Sequence, residues 1–107
     1  MLLEKERIQV AEYGRKLIEM GLTKGTGGNL SVYDRDKNLM AISPSGIDCF
    51  LIEPRDVVVM DLEGKVVEGD KKPSSEHAMH SILYKKREDI NAVIHTHTIF
   101  STTVACL

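Results

Sequence analysis

The sequence LSVYDRDKNLMAI, residues 30–42, decides the fold class. Leu30–Tyr33 and Leu39–Ile42 are short runs of mainly apolar side chains, and the polar segment DRDKN between them is typical of a turn. This pattern predicts two strands joined as an antiparallel hairpin. A second hairpin is predicted by the runs at 57–60 and 65–67, which flank the turn-forming sequence DLEG.

Two helices and a buried strand are predicted around these hairpins. Residues 3–21 carry apolar side chains at spacings of three, four and seven, which favours an amphipathic helix. Residues 74–87 predict a second helix with a serine as its N-cap. Residues 91–96 predict a buried strand, and the segment 98–107 begins with the apolar spacing of a helix.

Composition is that of an ordinary globular domain. The 107 residues include 14 Lys and Arg against 16 Asp and Glu, for a net charge of −2, and 42% are apolar. This balance argues against nucleic acid as a partner, and no apolar run approaches the ~20 residues of a membrane span. Charges alternate over Met1–Arg7 where a signal peptide would have an apolar core, so we expect a cytoplasmic protein with Cys49 and Cys106 as reduced thiols.

A pair of histidines, His95 and His97, is the sharpest local signal. Residues two apart on a strand lie on the same face, so the two imidazoles can share a metal ion. Imidazole is a common ligand of Zn²⁺. The alternative interpretation is a pair of surface or core histidines that are hydrogen-bonded to their neighbours.

Glu76 lies at the start of the second predicted helix. Its simplest role is to interact favourably with the helix dipole, worth a few tenths of a kcal/mol. Beside a metal ion, the same carboxylate could act as a general acid or base. His77 and His80, three apart on this helix, are interpreted as structural.

Three loops are rich in small residues that can donate hydrogen bonds. Gly27–Asn29, Ser45–Gly46 and Ser74–Ser75 are each consistent with a plain turn, and none is a P-loop. The last lies at a predicted helix N-terminus, where backbone N–H groups favour anions. Together with a candidate metal site, the three loops indicate a phosphorylated small molecule.

Four motifs occur in a fixed order along the chain: GGNLS at 27–31, SPSG at 43–46, KPSSE at 72–76 and HTH at 95–97. This order and spacing resemble the class II aldolase/adducin family, most closely its L-fuculose-phosphate aldolase branch. The resemblance implies an α/β fold, with a central, largely antiparallel sheet and helices on both faces. It also implies a homo-oligomer, specifically a homotetramer.

The resemblance further implies a Zn²⁺-dependent enzyme that cleaves a ketose 1-phosphate into dihydroxyacetone phosphate and an aldehyde. In such enzymes zinc stabilises the enediolate formed when the carbon–carbon bond breaks. By this resemblance His95 and His97 are zinc ligands and Glu76 is the acid/base. The residues that would hold the phosphate are Gly28, Asn29, Ser45, Gly46, Ser74 and Ser75.

The sequence departs from the family pattern in length and in one ligand. Family members are longer and take a third zinc histidine from a later strand, whereas no histidine follows His97 here. We therefore expect residues 1–107 to be the N-terminal portion of a single such domain. A site with two histidines binds zinc weakly unless Glu76, another chain or water completes it, so we expect low activity from this portion alone.

Three alternatives stay open within the resemblance. The ribulose-phosphate 4-epimerase branch uses the same scaffold but carries Asp at the position of Glu76. A methylthioribulose-phosphate dehydratase-like enzyme would remove water instead of breaking a carbon–carbon bond. A non-catalytic adducin-like module should lack the pair His95 and His97.

Overall fold

The computed structural model describes residues 1–23, 26–97 and 102–106. Its helices and strands follow the order α1, β1, β2, β3, β4, α2, β5, β6, with two short 3₁₀ turns, Cys49–Leu51 and Pro54–Asp56, between β2 and β3. None of the helices within these ranges is long and apolar enough to cross a membrane. The bounds are α1 Glu4–Glu19, β1 Gly28–Asp34, β2 Leu39–Ile42, β3 Val58–Asp61, β4 Val66–Glu68, α2 His77–Lys86, β5 Ala92–His97 and β6 Thr102–Cys106.

The strands form one six-stranded sheet in the order β4-β3-β2-β1-β5-β6. Every neighbouring pair is antiparallel. Both predicted hairpins are therefore confirmed, and β1 lies at the centre between its hairpin partner β2 and the later strand β5.

Helices cover both faces of this sheet. On one face, Val10 and Leu17 of α1 pack with Leu30 of β1 and Val59 of β3. On the other face, Tyr84 of α2 packs in a second cluster with side chains of β1, β2, β3 and β5, namely Tyr33, Met40, Ile42, Val58, Met60 and Val93. The predicted fold, an antiparallel sheet with helices on both faces, is confirmed.

Strand β1 shows how the alternation of side chains leads to the functional site. Leu30 belongs to the cluster under α1, whereas Ser31 forms hydrogen bonds with side chains of α2. Asn29, two residues before Ser31, also bonds to α2. Because successive side chains of a strand alternate between its faces, a strand can serve the apolar core and a polar site at once.

The predicted helix in the segment 98–107 is wrong for its described part. Residues Thr102–Cys106 form strand β6, which pairs with β5 in the register His97↔Thr102 to Val93↔Cys106. Threonine and valine at 102–104 are β-branched and favour extended backbone, and β5 offers an edge with which they can pair. Residues 98–101 and 107 lie outside the described part of the chain.

Candidate functional site

The three loops singled out in the sequence meet around one small cavity of about 150 Å³. All six residues predicted to hold phosphate line it, together with Glu76. Thr26, Pro44 and Ile47 also line it and were missed, although each lies within or next to a predicted loop. Within the described ranges of the chain, the lining residues are Thr26, Gly27, Gly28, Asn29, Pro44, Ser45, Gly46, Ile47, Ser74, Ser75 and Glu76.

Hydrogen bonds donated by backbone N–H groups hold the three loops together. The N–H of Ser43 donates to the carbonyl of Leu30 (2.9 Å), and the Leu30 N–H donates to Ser43 Oγ (3.1 Å). The Ser74 N–H in turn donates to the carbonyl of Ser43 (3.0 Å), and the Ser45 N–H donates to the carbonyl of Lys72 (2.8 Å). The cavity wall is therefore built from hydrogen-bonded backbone.

Two glycines are favoured at the cavity for different reasons. Gly46 has a φ of +77°, a backbone conformation that side chains with a Cβ rarely adopt. A Cβ on Gly28 would lie 3.2 Å from Thr23 Oγ1 and 3.3 Å from the carbonyl oxygen of His95. The buried Cys49 thiol, whose pKa is raised by burial, donates to the Gly28 carbonyl (3.5 Å).

Helix α2 begins at the cavity, slightly later than predicted. It starts at His77, with Glu76 as its N-cap residue. Ser74 still serves the helix start, because its Oγ accepts from the Glu76 N–H (3.2 Å) and its carbonyl accepts from the His77 N–H (3.1 Å). The positive end of the helix dipole lies at the cavity wall and favours an anion there.

Glu76 contacts His95 directly. Glu76 Oε2 lies 2.5 Å from His95 Nδ1, the imidazole is nearly fully buried, and the carboxylate is about one-third exposed. The contact follows from the sheet register, since His95 pairs with Asn29 across β5 and β1 and therefore shares its face. A neutral imidazole that donates from Nδ1 carries its lone pair on Nε2, and a carboxylate in this position is a common partner of metal-binding histidines.

His97 occupies the next position on the same face of β5. Its side chain lies outside the described part of the structure, and among the side chains that are described no three His, Cys, Asp or Glu come together as a metal site. The donors at hand, the His95 imidazole with a carboxylate beside it, fit the ligand chemistry of Zn²⁺. The roles of His95, His97 and Glu76 stay predictions.

A buried polar cluster next to the cavity was not predicted. His80 Nε2 lies 2.5 Å from Asn29 Oδ1, and His80 Nδ1 lies 2.7 Å from Ser31 Oγ. Ser31 Oγ is also 2.6 Å from the hydroxyl of Tyr84. Burial, followed by the neighbouring His95 and His77, lowers the pKa of His80 from 6.5 to about 4. The sequence pattern that could have predicted this cluster is residue spacing. His80 lies one helical turn after Glu76, and Ser31 lies two residues after Asn29, so each shares a face with a predicted site residue.

Comparison with known proteins identifies a family and several relatives for this chain. Residues 8–107 match the family described as Class II Aldolase and Adducin N-terminal domain. The chain is 55% identical over 107 residues to 5-deoxy-D-ribulose 1-phosphate aldolase of Bacillus thuringiensis serovar kurstaki, covering 100% of this chain and 50% of that protein.

Solved structures agree with this match. An L-fuculose 1-phosphate aldolase superposes with a TM-score of 0.85 at 58% identity, over 90% of this chain and 45% of the other. The L-fuculose-1-phosphate aldolase of Thermus thermophilus gives a TM-score of 0.69 at 30% identity, over 85% and 45%. The chain thus spans about half the length of these relatives. With its antiparallel sheet and its four motifs in order, the chain belongs to the class II aldolase and adducin N-terminal domain family.

Proposed function

We propose that this protein is a zinc-dependent aldolase that cleaves a ketose 1-phosphate, such as L-fuculose 1-phosphate, into dihydroxyacetone phosphate and an aldehyde. One observation carries the proposal. Three loops that are far apart in sequence line one cavity, and that cavity is also lined by Glu76, which contacts His95. An anion subsite, an acid–base group and a metal ligand are then neighbours.

The cavity suits the phosphate group of the substrate. The side chains of Asn29, Ser45, Ser74 and Ser75 supply polar groups, and Gly28 and Gly46 allow the ligand to approach the backbone. The N-terminus of α2 adds N–H donors and a favourable dipole. Phosphate held here would fix the substrate carbons next to Glu76.

Glu76 is the group that moves the proton. Its carboxylate is partly exposed at the cavity and within hydrogen-bond reach of a buried imidazole. A carboxylate so placed can accept a proton from the substrate hydroxyl or return one to carbon after the bond breaks, a contribution of about 10²–10⁴-fold in rate.

His95 and His97 are the residues that would hold Zn²⁺. The bound ion would supply Lewis acidity that stabilises the negative charge left on the substrate oxygens when the carbon–carbon bond breaks. A second copy of the chain or water would complete the ligand set. His95, oriented by Glu76, would coordinate through Nε2.

The relatives narrow the class of substrate. The two activities named among them act on 5-deoxy-D-ribulose 1-phosphate and L-fuculose 1-phosphate, which share a phosphate on carbon 1. We extend this substrate class to the present protein, together with a cytoplasmic location and a homo-oligomeric assembly, with no nucleic acid or membrane partner.

The test is a cleavage assay on the intact protein with Zn²⁺ and each of the two 1-phosphates. We expect release of dihydroxyacetone phosphate, and a loss of about 10²–10⁴-fold in kcat for Glu76→Gln, which keeps the side chain's size but cannot take up the proton. Following the products by NMR separates cleavage from epimerisation or loss of water.

Glu88→Gln is the matched control. Glu88 is exposed beyond the end of α2 opposite to Glu76, and this helix of 10 residues is about 15 Å long. This variant should retain wild-type kcat. Full activity of Glu76→Gln, or an epimer or dehydrated sugar as the product, would contradict the proposal.

A further inference from the structure

A buried chain of hydrogen bonds leads from α2 to the cavity wall. Tyr84, Ser31 and His80 are each at most 1% exposed, and the chain ends at Asn29, which is 8% exposed and lines the cavity. The links are Tyr84 Oη to Ser31 Oγ (2.6 Å), Ser31 Oγ to His80 Nδ1 (2.7 Å) and His80 Nε2 to Asn29 Oδ1 (2.5 Å). No sequence motif of the proposed site includes His80 or Tyr84.

The acceptor at one end of the chain, Asn29 Oδ1, fixes the tautomer of His80 and through it the direction of the bond to Ser31. Asn29 Oδ1 can only accept, so His80 must donate from Nε2. A neutral imidazole then accepts at Nδ1, and the hydroxyl of Ser31 donates to it. Ser31 Oγ is thereby left to accept from the Tyr84 hydroxyl, whose single proton is shared with the Ser31 carbonyl at 3.1 Å.

The same placement of Oδ1 beside His80 leaves the opposite end of the Asn29 amide available to a ligand. With Oδ1 held by His80, the remaining polar group of the side chain is the amide NH₂ group at Nδ2, a donor of two hydrogen bonds. The reversed amide would present a carbonyl oxygen to the cavity and repel an anion. The low pKa of His80, about 4, keeps the ring neutral at neutral pH, as this arrangement requires.

We infer that His80, supported by Ser31 and Tyr84, is a positioning residue that holds the Asn29 side chain with its amide N–H groups toward the phosphate subsite. This inference rests on the proposed function, because it assigns the cavity to phosphate. It adds a specific cause for the orientation of one phosphate-binding side chain. His80 acts through Asn29 and does not touch the substrate.

The test measures the binding of inorganic phosphate to the metal-free protein by calorimetry. In His80→Asn the side-chain amide reaches only the place of ring Nδ1, so the bond to Asn29 is lost and phosphate should bind about tenfold more weakly. In His80→Gln the amide reaches the place of Nε2 and can still donate to Oδ1. This variant should bind phosphate within about threefold of wild type.

Phosphate binding by the two variants and NMR spectra of the wild type distinguish a positioning role of His80 from a purely structural one. Both variants remove the same buried ring, so a structural role would affect phosphate binding equally in the two. In the wild type, a long-range ¹H–¹⁵N spectrum should show His80 protonated at Nε2 and bare at Nδ1, and phosphate should shift the Asn29 side-chain amide signals. These spectra decide the question even if His80→Asn does not fold.

Each remaining outcome has one meaning. If phosphate binds the wild type and Asn29→Ala weakens it, but His80→Asn does not or His80→Gln weakens it equally, the inference is overturned while the proposed function stands. A proton on Nδ1 of His80, or unshifted Asn29 signals at saturating phosphate, overturns it as well. If phosphate does not bind the wild type, the proposed phosphate subsite fails and the inference fails with it.

Discussion

The residues at the cavity must offer polar groups to an anion while keeping negative charge near it to a minimum. Glu76 places a carboxylate beside a proposed anion subsite, and its contact with His95 gives that carboxylate a compensating partner. Asn29 supplies polarity without charge, and its neighbour His80 is buried as a neutral ring. Among the described residues that line the cavity, charge is thus confined to the one carboxylate that the proposed reaction needs.

The neutral state of His80 predicts a dependence of stability on pH. Its pKa is about 4 in the folded protein, against about 6.5 in an unfolded chain. As the pH falls through this window, protons bind the unfolded state first. The free energy of unfolding should therefore be intact above pH 6.5, fall between 6.5 and 4, and level off below, with a total loss of order 3 kcal/mol.

Urea denaturation at a series of pH values checks this prediction. His80→Gln cannot titrate at this position, so the difference in unfolding free energy between wild type and variant should shrink as the pH falls from about 7 to 4. Other acidic groups affect both proteins alike and cancel. Parallel curves for the two proteins would show that His80 is not the group responsible.

At the scale of elements, helix α1 is held unusually close to the chain that follows β2. A Cβ on Gly14 would lie 2.9 Å from the carbonyl oxygen of Cys49, a backbone atom that cannot rotate away. Alanine normally stabilises the middle of a helix by about 1 kcal/mol over glycine. Here the clash reverses the sign, and Gly14→Ala should destabilise the protein by about 1–3 kcal/mol.

The midpoint of urea unfolding measures this change. Glu12→Ala is the control, because residue 12 is exposed on the same helix and should alter stability by no more than about 0.5 kcal/mol. A more stable Gly14→Ala variant would mean that α1 and the Cys49 turn can separate without cost.

Elements differ in how far the sequence predicts them. The hairpin Leu30–Ile42 and the helix ending near Gly21 are encoded locally, by alternation, a polar turn and a glycine with φ of +73°. Strand β6 is not encoded locally, because its pairing with β5 outweighs the helical spacing of its apolar residues. The same holds for His80, whose partners on β1 are about 50 residues away in sequence. Long-range pairing is what local patterns leave open.

The candidate site shows the same difference between what local sequence encodes and what long-range contacts determine. The loops at 27–29, 45–46 and 74–75 have distinctive local composition and could be identified one by one. Their convergence depends on Ser43, whose bonds to Leu30 and Ser74 tie the loops into one wall. Local composition therefore finds the groups that line the cavity, while the residues that hold those groups in place emerge only from the fold.

At the scale of the whole molecule, several large apolar side chains lie on the surface. Phe50 and Leu51, adjacent on the first 3₁₀ turn, are 45% and 65% exposed, and Met20 on the α1 side is 69% exposed. Each ~100 Å² of apolar surface that a neighbour covers contributes about 2.5 kcal/mol. Covering this surface would favour association.

We therefore expect sedimentation equilibrium to give a mass that is a multiple of the 11.9 kDa chain, with four copies as the family resemblance suggests. The weight-average mass should fall on dilution if the association is weak. A single species of 11.9 kDa at every concentration would contradict the oligomeric assembly.

The most direct test of the proposed function is a crystal structure of the protein grown with Zn²⁺ and phosphate, with anomalous data collected at the zinc edge. We predict a zinc peak about 2.0–2.1 Å from Nε2 of His95 and from a ring nitrogen of His97. We predict phosphate in the cavity, bonded to the Asn29 amide and to the loops at Ser45 and Ser74. Zinc bound at other residues, or phosphate bound elsewhere while this cavity contains only water, would contradict the assignment of the site.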